Sequence, residues 1–190
     1  MTEDRYIIQE YLNGRTDAIG VLFEEYKMPL YKFCYHLTIN RHEADDLFQE
    51  TWVRVVQNIA SFDINKKFDT WLFTIAINLY KDRYRKAKRW LKKIKMYFSD
   101  ETKVEEIEGI LNTNKPIEEQ IEERQQREFM YKCINEMQDI YRIPVILFYF
   151  KEMSYDQIAE ILNIPIGTVK SRLNSARTKL RTMLGDELNG

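Results

Sequence analysis

The sequence predicts an all-α protein built from two small helical domains. Its 190 residues include only 6 Gly and 4 Pro, and runs of β-branched residues are few. Hydrophobic residues make up 44% of the chain and aromatic residues 13%, which is enough to bury real cores and excludes a disordered chain. Between residues 96 and 120 turn-forming and acidic residues accumulate, and we interpret that stretch as a flexible linker.

Three short helices are expected at the start of the first domain. A helix over residues 1–13 ends at the Asn13-Gly14 turn. Thr16 is placed to cap a second helix, which Pro29 is expected to break or re-aim. A third helix then covers residues 30–39.

Two longer helices complete this first domain, which spans residues 1–95. One runs from about residue 42 to residue 59, with apolar side chains recurring at helical spacing. Its apolar face is predicted to consist of Leu47, Trp52, Val55, Val56 and Ile59. After a polar turn at residues 63–67, the last helix covers about 68–95 and is apolar early and basic late.

The second domain, residues 121–190, is predicted to end in a helix-turn-helix that spans residues 154–181. Ser154 and Gln157 form a capping-box pattern, which starts a helix. The turn is Asn163-Ile164-Pro165, because Pro is tolerated where the first helical positions need no N–H donor. In the next helix one apolar stripe faces the core. It consists of Val169, Leu173, Ala176 and Leu180.

The composition also excludes several classes of protein. Cys34 and Cys133 lie far apart among apolar residues, and no CxxC or Cys/His cluster occurs, so neither a disulfide framework nor a metal site is expected. No signal peptide and no apolar run of the roughly 20 residues needed for a membrane span are found. We expect a protein of the reducing cytoplasm that holds no metal and no cofactor.

The net charge of −1 conceals a strong segregation of charge. Residues 65–95 hold 11 basic and 2 acidic side chains, and residues 170–181 hold 5 basic and none acidic. Residues 1–50 hold 5 basic and 10 acidic side chains, and residues 100–128 hold 4 and 10. Because phosphate binding responds to local fields, the two basic blocks favour nucleic acid. A solvated helix face explains either block alone, but it explains the pair poorly.

The outer face of the last helix carries side chains suited to duplex DNA. Short donors near the helix start can meet phosphates or base edges, and long cations can reach guanine or the backbone. The predicted DNA-binding residues are Thr168, Lys170, Ser171, Arg172, Asn174 and Arg177. An ordinary helical hairpin with a charged outer face is the structural alternative.

Two further clusters lie in the first domain. The helix at residues 42–59 carries Asp45, Asp46, Gln49 and Glu50 on adjacent turns. A catalytic site built on paired carboxylates would need an accompanying His, metal ligands or a glycine-rich loop, and the sequence offers none of these. Two interpretations of the cluster remain, a solvated helix face and a docking face.

The next helix mixes aromatic and cationic residues, as single-stranded DNA binding requires. Within its apolar part stands Asn78, which either satisfies a buried carbonyl or contacts a ligand.

These motifs together resemble the extracytoplasmic-function (group 4) class of bacterial sigma factors, of the sigma-70 family. SYDQIAEIL and PIGTVKSRL, at residues 154–162 and 165–173, are similar to sigma region 4. Region 2.2 of the family resembles residues 43–51, EADDLFQET. Regions 2.3 and 2.4 resemble Phe62 together with residues 68–79, FDTWLFTIAINL. The motifs occur in the order of that family and cover nearly the whole chain apart from the linker and the termini.

The resemblance implies a role for each cluster. The acidic face at Asp45, Asp46, Gln49 and Glu50 would dock on the clamp helices of the largest subunit of core RNA polymerase. Asn78 would bind a flipped base of the −10 element in a pocket lined by Phe62 and Ile75, with Lys81, Arg83 and Arg85 on its phosphates. The C-terminal helix would read the −35 duplex, and the chain would do no covalent chemistry.

A membrane-linked or cytoplasmic anti-sigma factor is a further partner that the resemblance implies. Within this class, an inhibitor usually holds the sigma factor inactive. A short flexible linker at residues 96–120 would let the two domains clamp around an inhibitor or open onto polymerase.

The chain departs from the family pattern at several positions. Thr74 stands where an Arg is usual, and Asn174 and Ser175 replace a bulkier and a basic residue. Gln138 stands where a Pro often opens the first helix of region 4. Pro144 lies inside that helix and is expected to kink it or to displace its start.

Two other classes of protein are compatible with a helix-turn-helix. A stand-alone repressor or activator would bind duplex promoter DNA as a dimer, but it has no need of the segment 45–78. A recombinase or nuclease would require a nucleophile or a metal-ligand cluster, which the sequence does not offer.

Overall fold

The computed structural model describes residues 3–97 and 130–188, and every regular element within these ranges is helical. The chain divides into two compact units, residues 1–114 and 115–190. The boundary between the units and most of the predicted linker lie outside the described residues. The predicted domain limits therefore stay predictions.

Four helices lie within residues 3–97, the part of the first unit that the structure describes. They are α1 (Glu3–Leu12), α2 (Ala18–Thr38), α3 (Arg41–Asn58) and α4 (Phe68–Tyr97). A 3₁₀ turn, Ile59–Ser61, follows α3. Helix α1 packs on α2, and α2, α3 and α4 pack on one another. Rings of Phe33 on α2 and Phe73 on α4 meet edge to face at 4.8 Å in this core, and Leu47 on α3 is fully buried.

Pro29 does not break the second helix, because α2 runs without interruption through it. The prediction of two separate helices there is wrong. A proline inside a helix costs about 3 kcal/mol, whereas burying one large apolar side chain stabilises by about 1.5–3 kcal/mol. Leu22 before the proline and Leu30, Phe33 and Leu37 after it are all fully buried, so packing outweighs the lost hydrogen bond.

Two smaller predictions for this unit are also wrong. Thr16 is not the cap of α2, since the helix begins at Ala18 after Asp17, whose side chain makes no capping hydrogen bond. Val56 is not part of the buried face of α3, because 46% of its surface is exposed while Val55 is fully buried. The core face of α3 follows residues 44, 47, 51 and 55, and Val56 lies one helical step outside it.

The turn between α3 and α4 has the predicted polar character. The backbone N–H groups of Asn65 and Lys66 donate to the side chain and the carbonyl of Asp63, at 3.0 and 2.9 Å. An aspartate that bonds the backbone two residues on favours a tight turn. This turn holds Phe62 and Phe68 at the two ends of a short loop, with their rings 5.9 Å apart.

Within residues 130–188 of the second unit, the structure describes a helix over residues 130–136, called α5 here, and three further helices. These are α6 (Asp139–Val145), α7 (Tyr155–Leu162) and α8 (Ile166–Leu188), with a π-helix, Ile146–Phe150, directly after α6. Helix α6 begins after Gln138 and contains Pro144. The π-helix begins two residues after Pro144, which has no N–H to donate to the preceding turn.

The helix-turn-helix, formed by α7 and α8, has the predicted local structure. Ser154 accepts from the N–H of Gln157 at 3.3 Å, and Gln157 Oε1 accepts from the N–H of Ser154 at 3.0 Å, which completes the capping box. Asn163 takes the left-handed conformation, with φ 51°, as asparagine tolerates better than most residues. Of the predicted apolar stripe, Val169, Leu173 and Ala176 are buried and Leu180 is half-buried. 

None of the helices in the described ranges has the length and apolarity that a membrane crossing requires.

Candidate nucleic-acid interface

One face of α4 carries most of the residues predicted to bind the −10 strand. At 3.6 residues per turn, Trp71, Ile75 and Asn78 project within about 60° of one another. Asn78 is exposed and Trp71 and Ile75 are half-buried. The Asn78 amide is therefore not a buried group that satisfies a core carbonyl. It lies on an accessible surface above apolar neighbours.

Phe62 completes an aromatic wall beside this face. Its ring lies 4.9 Å from that of Trp71, and only 8% of its surface is exposed. The polar turn holds Phe62 there, and α4 holds Trp71. Trp71 was not among the residues predicted to form the pocket, but the structure brings it to the edge of that pocket. Its spacing of four and seven residues from Ile75 and Asn78 was the signal that could have identified it.

The cations of α4 divide between two faces. Lys81 and Arg85 follow Asn78 along the same side of the helix. Arg85 is exposed and pairs with Asp82 at 3.1 Å, and Lys81 is half-buried. Arg83 projects about 140° away from Asn78. The structure therefore brings Lys81 and Arg85 together with Asn78 and separates Arg83 from them.

Arg83 is held by α3. Its Nε and Nη2 atoms both donate to Glu50 Oε2, at 3.1 and 2.6 Å, and Nη2 also donates to the carbonyl of Asp46 at 3.1 Å. Both side chains are about 37% exposed. A predicted DNA-binding cation and a predicted polymerase-binding acid thus bond each other, and the pair joins α3 to α4.

The exposed face of α3 is longer than the acidic cluster from which it was predicted. Asp46 and Gln49 are exposed and Asp45 is half-buried. Val53 and Val56 continue the same face by one and two turns, and they are 53% and 46% exposed. The face therefore combines acids at its start with aliphatic side chains at its end, and the aliphatic half was not predicted.

The outer face of α8 is centred on three short polar side chains. Ser171, Asn174 and Thr178 are exposed and follow one another at intervals of three and four residues. Thr178 was not predicted, although the same spacing identifies it. Arg172, half-buried, lies with Thr168 along one flank, and Lys170 and Arg177 lie along the other.

Two tyrosines hold the cations of that second flank. Arg177 Nε donates to the hydroxyl of Tyr149, on the π-helix, at 2.9 Å. Lys170 Nζ lies 5.8 Å from the ring centre of Tyr155, at the start of α7. The hydrogen bond with Tyr149 is the main cause of a raised pKa of Arg177. Neither tyrosine was predicted to belong to this surface, because the contacts join separate helices.

Thr74 stands where an Arg is usual in the family, and its side chain makes a hydrogen bond within α4. Its hydroxyl donates to the carbonyl of Thr70, one turn earlier in α4, at 2.7 Å. Thr74 therefore bonds its own helix, whereas a long cation at this position would extend from it.

Within the ranges that the structure describes, no group of His, Cys, Asp or Glu side chains could hold a metal ion.

Comparison with known proteins identifies the family. The Sigma-70 region 2 family matches residues 22–90, and the Sigma-70, region 4 family matches residues 127–180. The chain is 37% identical to ECF RNA polymerase sigma factor SigW of Bacillus subtilis (strain 168), over 94% of this chain and 95% of that protein. It is 29% identical to SigM of the same organism, over 90% and 98%.

Two solved structures share the fold. CnrH in complex with the cytosolic domain of CnrY is 21% identical with a TM-score of 0.69, over 96% of this chain and 97% of that one. The sigma factor RpoE in complex with the anti-sigma factor NepR, from Bartonella quintana, is 24% identical with a TM-score of 0.71, over 89% and 98%. At these identities the likeness concerns the fold.

The chain belongs to the extracytoplasmic-function (ECF) group of the sigma-70 family. It is a transcription initiation factor that directs core RNA polymerase to specific promoters.

Proposed function

We propose that the first unit holds the −10 element as single-stranded DNA on the face of α4 around Asn78. The observation that carries this proposal is an exposed amide beside half-buried Ile75 and next to the Phe62–Trp71 wall. A flipped base needs a flat apolar surface for its ring and a hydrogen-bonding group for its edge. Lys81 and Arg85, on the same side of the helix, supply positive charge for the adjoining phosphates.

Arg83 has a different role in this proposal. Its guanidinium is engaged by Glu50 and by the Asp46 carbonyl on α3. We assign it to holding the DNA-binding helix against the polymerase-binding helix. Asp45, Asp46 and Gln49 are the residues of α3 that remain for polymerase, together with exposed Val53 and Val56.

The second unit binds the −35 element as duplex through the outer face of α8. Ser171 and Asn174 lie at the centre of that face, where short side chains meet base edges. Lys170, Arg172 and Arg177 flank them and are placed for phosphates or guanine. The Tyr149 hydroxyl holds the Arg177 side chain in place before DNA binds. Arg177 therefore loses less conformational entropy when it contacts DNA.

An anti-sigma factor is the proposed regulator. RpoE of Bartonella quintana, which shares the fold, was solved with the anti-sigma factor NepR, and CnrH was solved with a domain of CnrY. A pull-down from the native cell should recover both polymerase and an inhibitor. Repeated recovery of polymerase without any inhibitor, under several growth conditions, counts against this part of the proposal.

The chain itself does no covalent chemistry in this proposal and acts in the cytoplasm, where core polymerase makes the RNA. The test is run-off transcription with core polymerase on a promoter selected from a randomised library. We expect transcripts that depend on the chain. Specific duplex binding by the chain alone, with no initiation above core polymerase, would instead support a stand-alone repressor or activator.

A further inference from the structure

Tyr149 lies outside the helix-turn-helix, on the π-helix that precedes α7, yet its hydroxyl reaches the DNA-binding helix α8. Tyr149 is 50% exposed, and its hydroxyl oxygen accepts from Arg177 Nε at 2.9 Å. A phenol that accepts one hydrogen bond still has its own proton to donate. Among residues 3–97 and 130–188, no group accepts that proton. The structure therefore presents one further donor at the edge of this face.

The backbone that carries Tyr149 is anchored on both sides. The ring of Phe148, its neighbour on the π-helix, stacks on the ring of Tyr155 at 5.3 Å, with the two planes 22° apart. After the π-helix, the N–H of Met153 donates to the carbonyl of Leu147 at 3.1 Å, and both of these side chains are buried. The π-helix is thus tied to the core and to the start of α7, and it holds the Tyr149 hydroxyl at a defined place.

The surface around the Tyr149 hydroxyl is positive. Lys170, Arg177 and Arg181 are exposed, and at 3.6 residues per turn they project from α8 within about 40° of one another. Within the described part of the chain, no carboxylate forms an ion pair with any of the three. A neutral donor beside such cations matches an anion with several oxygens, because each oxygen accepts from more than one donor.

Two kinds of anion fit this surface, the phosphates of DNA and the carboxylates of an acidic peptide. Position favours DNA, because Ser171 and Asn174, proposed to meet base edges, lie on the adjoining face of α8. Residues at the edge of a recognition helix meet the phosphates that border the major groove. Arg177 projects about 60° to one side of Asn174, and this places the Tyr149 hydroxyl, which Arg177 bonds, at the edge of the face.

We propose that Tyr149 is itself a DNA contact, and that its hydroxyl donates to the −35 phosphate that Arg177 also meets. The inference rests on the proposed function of the second unit, and it extends the interface beyond the helix-turn-helix onto the π-helix. A guanidinium has five N–H donors, so the bond from Arg177 to Tyr149 leaves others for the phosphate. Because Tyr149 is neutral and a phosphate carries no base identity, the contact adds affinity without sequence preference.

The first test measures binding of holoenzyme to a promoter fragment that ends upstream of the −10 element, over a range of salt concentrations. Tyr149→Phe keeps the ring and removes the hydroxyl. It should lower affinity about tenfold, the size of one hydrogen bond to a charged group, and equally on the selected and on a scrambled −35 sequence. The slope of log affinity against log salt should stay unchanged, because a neutral donor releases no counterion. Arg177→Ala should lower that slope by about one.

The second test separates a direct contact from a role in holding Arg177. Tyr149→Phe is introduced into Arg177→Ala, in which no guanidinium is left to hold. A direct contact should lower affinity further, whereas a holding role alone predicts no further loss. Neutral methylphosphonate linkages, introduced one at a time into the −35 strands, locate the phosphate. One linkage whose neutralisation weakens binding of the wild type should lose that effect in the double variant.

Tyr141→Phe is the matched control. Tyr141 is a half-buried tyrosine of the same unit, and Lys179 Nζ lies 5.4 Å from its ring centre. Lys179 projects from α8 about 140° away from Asn174, so this tyrosine is remote from the proposed face. The variant should leave both affinity and slope unchanged.

Two results would overturn the inference. A slope that falls in Tyr149→Phe, with no further loss in the Arg177→Ala background, would leave Tyr149 only as a residue that holds Arg177. Unchanged DNA affinity in Tyr149→Phe would exclude the contact, and weaker binding of that variant to core polymerase would then assign Tyr149 to an acidic protein surface. If wild-type holoenzyme does not prefer the selected −35 sequence to the scrambled one, the proposed function of the second unit fails instead.

Discussion

At the scale of single residues, Asn78 is the residue that we propose binds a base of the −10 element. Asparagine is a weaker helix former than the apolar residues around it, and here its amide is exposed, not buried. We propose that Asn78 binds a base because its amide is accessible on the face that also carries Trp71 and Ile75. The charge of the α4 cations does not by itself separate DNA contacts from contacts within the protein, since Arg83 pairs with Glu50.

Asn78→Ala should impair promoter melting and leave −35 duplex binding unchanged. The loss of one hydrogen-bonding amide that reads a base edge corresponds to about 1–3 kcal/mol. Permanganate reactivity of the −10 region and duplex affinity of the −35 region measure the two effects. Asn58→Ala, at another exposed helical asparagine, is the control. Intact initiation by Asn78→Ala would show that the base pocket is assigned wrongly.

Arg172→Ala should weaken −35 binding by about 1–3 kcal/mol if Arg172 contacts a base, and this loss should depend on the sequence. Competition between the selected −35 duplex and a scrambled duplex, with holoenzyme, measures it. Lys132→Ala removes an exposed charge from the same unit and should have no such effect. An equal loss on both duplexes would assign Arg172 to a phosphate.

At the scale of elements, the contact between α3 and α4 joins the two faces that the first unit presents. Glu50 and Arg83 link the helix proposed for polymerase to the helix proposed for DNA. Such a bond fixes the direction in which each face points, so its loss affects function through position as well as stability.

Glu50→Ala and Arg83→Ala should each lower the free energy of unfolding of the first unit by no more than about 1 kcal/mol, since the pair is partly exposed to solvent. The double charge reversal Glu50→Arg with Arg83→Glu should restore part of the loss. Urea denaturation of the full chain measures both. Arg85→Ala, whose ion pair lies within α4, is the control. A reversal that is no better than the single changes would leave Arg83 as a predicted DNA contact.

The exposed valines of α3 lead to a second prediction at this scale. Val56→Asp should lower affinity for core polymerase at least about tenfold, because a buried unpaired carboxylate at an interface costs several kcal/mol. Fluorescence anisotropy with labelled chain and core polymerase measures this affinity. Ile140→Asp, in the second unit, is a matched control because Ile140 is 45% exposed. Unchanged affinity of Val56→Asp would confine the polymerase face to the acidic half of α3.

At the scale of the whole molecule, each compact unit contains one buried cysteine. Cys34 is fully buried in the first unit, and Cys133 is 2% exposed in the second. Burial raises the pKa of the Cys34 thiol to about 12, so at neutral pH it is both shielded and protonated. Thiol labelling therefore reports the opening of each unit separately.

If the units unfold independently, Arg83→Ala should speed the labelling of Cys34 and leave that of Cys133 unchanged. Mass spectrometry of the two cysteine peptides after timed exposure to a thiol reagent measures both rates. The control is unmodified chain at the same urea concentration. Equal acceleration at both cysteines would show that the two units open together.

Much of this molecule follows from local sequence chemistry. The helical class, the capping box at Ser154, the turn at Asn163 and the stripe from Val169 to Leu173 depend on neighbours a few residues away. Spacing and residue type therefore suffice to predict them. The identity of the family also follows, since its motifs are local segments in a set order.

Tertiary structure alone decided three other features, each of which depends on contacts between helices far apart in sequence. Packing of a long buried face kept α2 continuous through Pro29, against the local preference of proline. The packing of α3 against α4 gave Arg83 its partners, Glu50 and the Asp46 carbonyl, and the π-helix brought Tyr149 to Arg177. A charge or a ring can be recognised in the sequence, but its partner is determined only when the chain has folded.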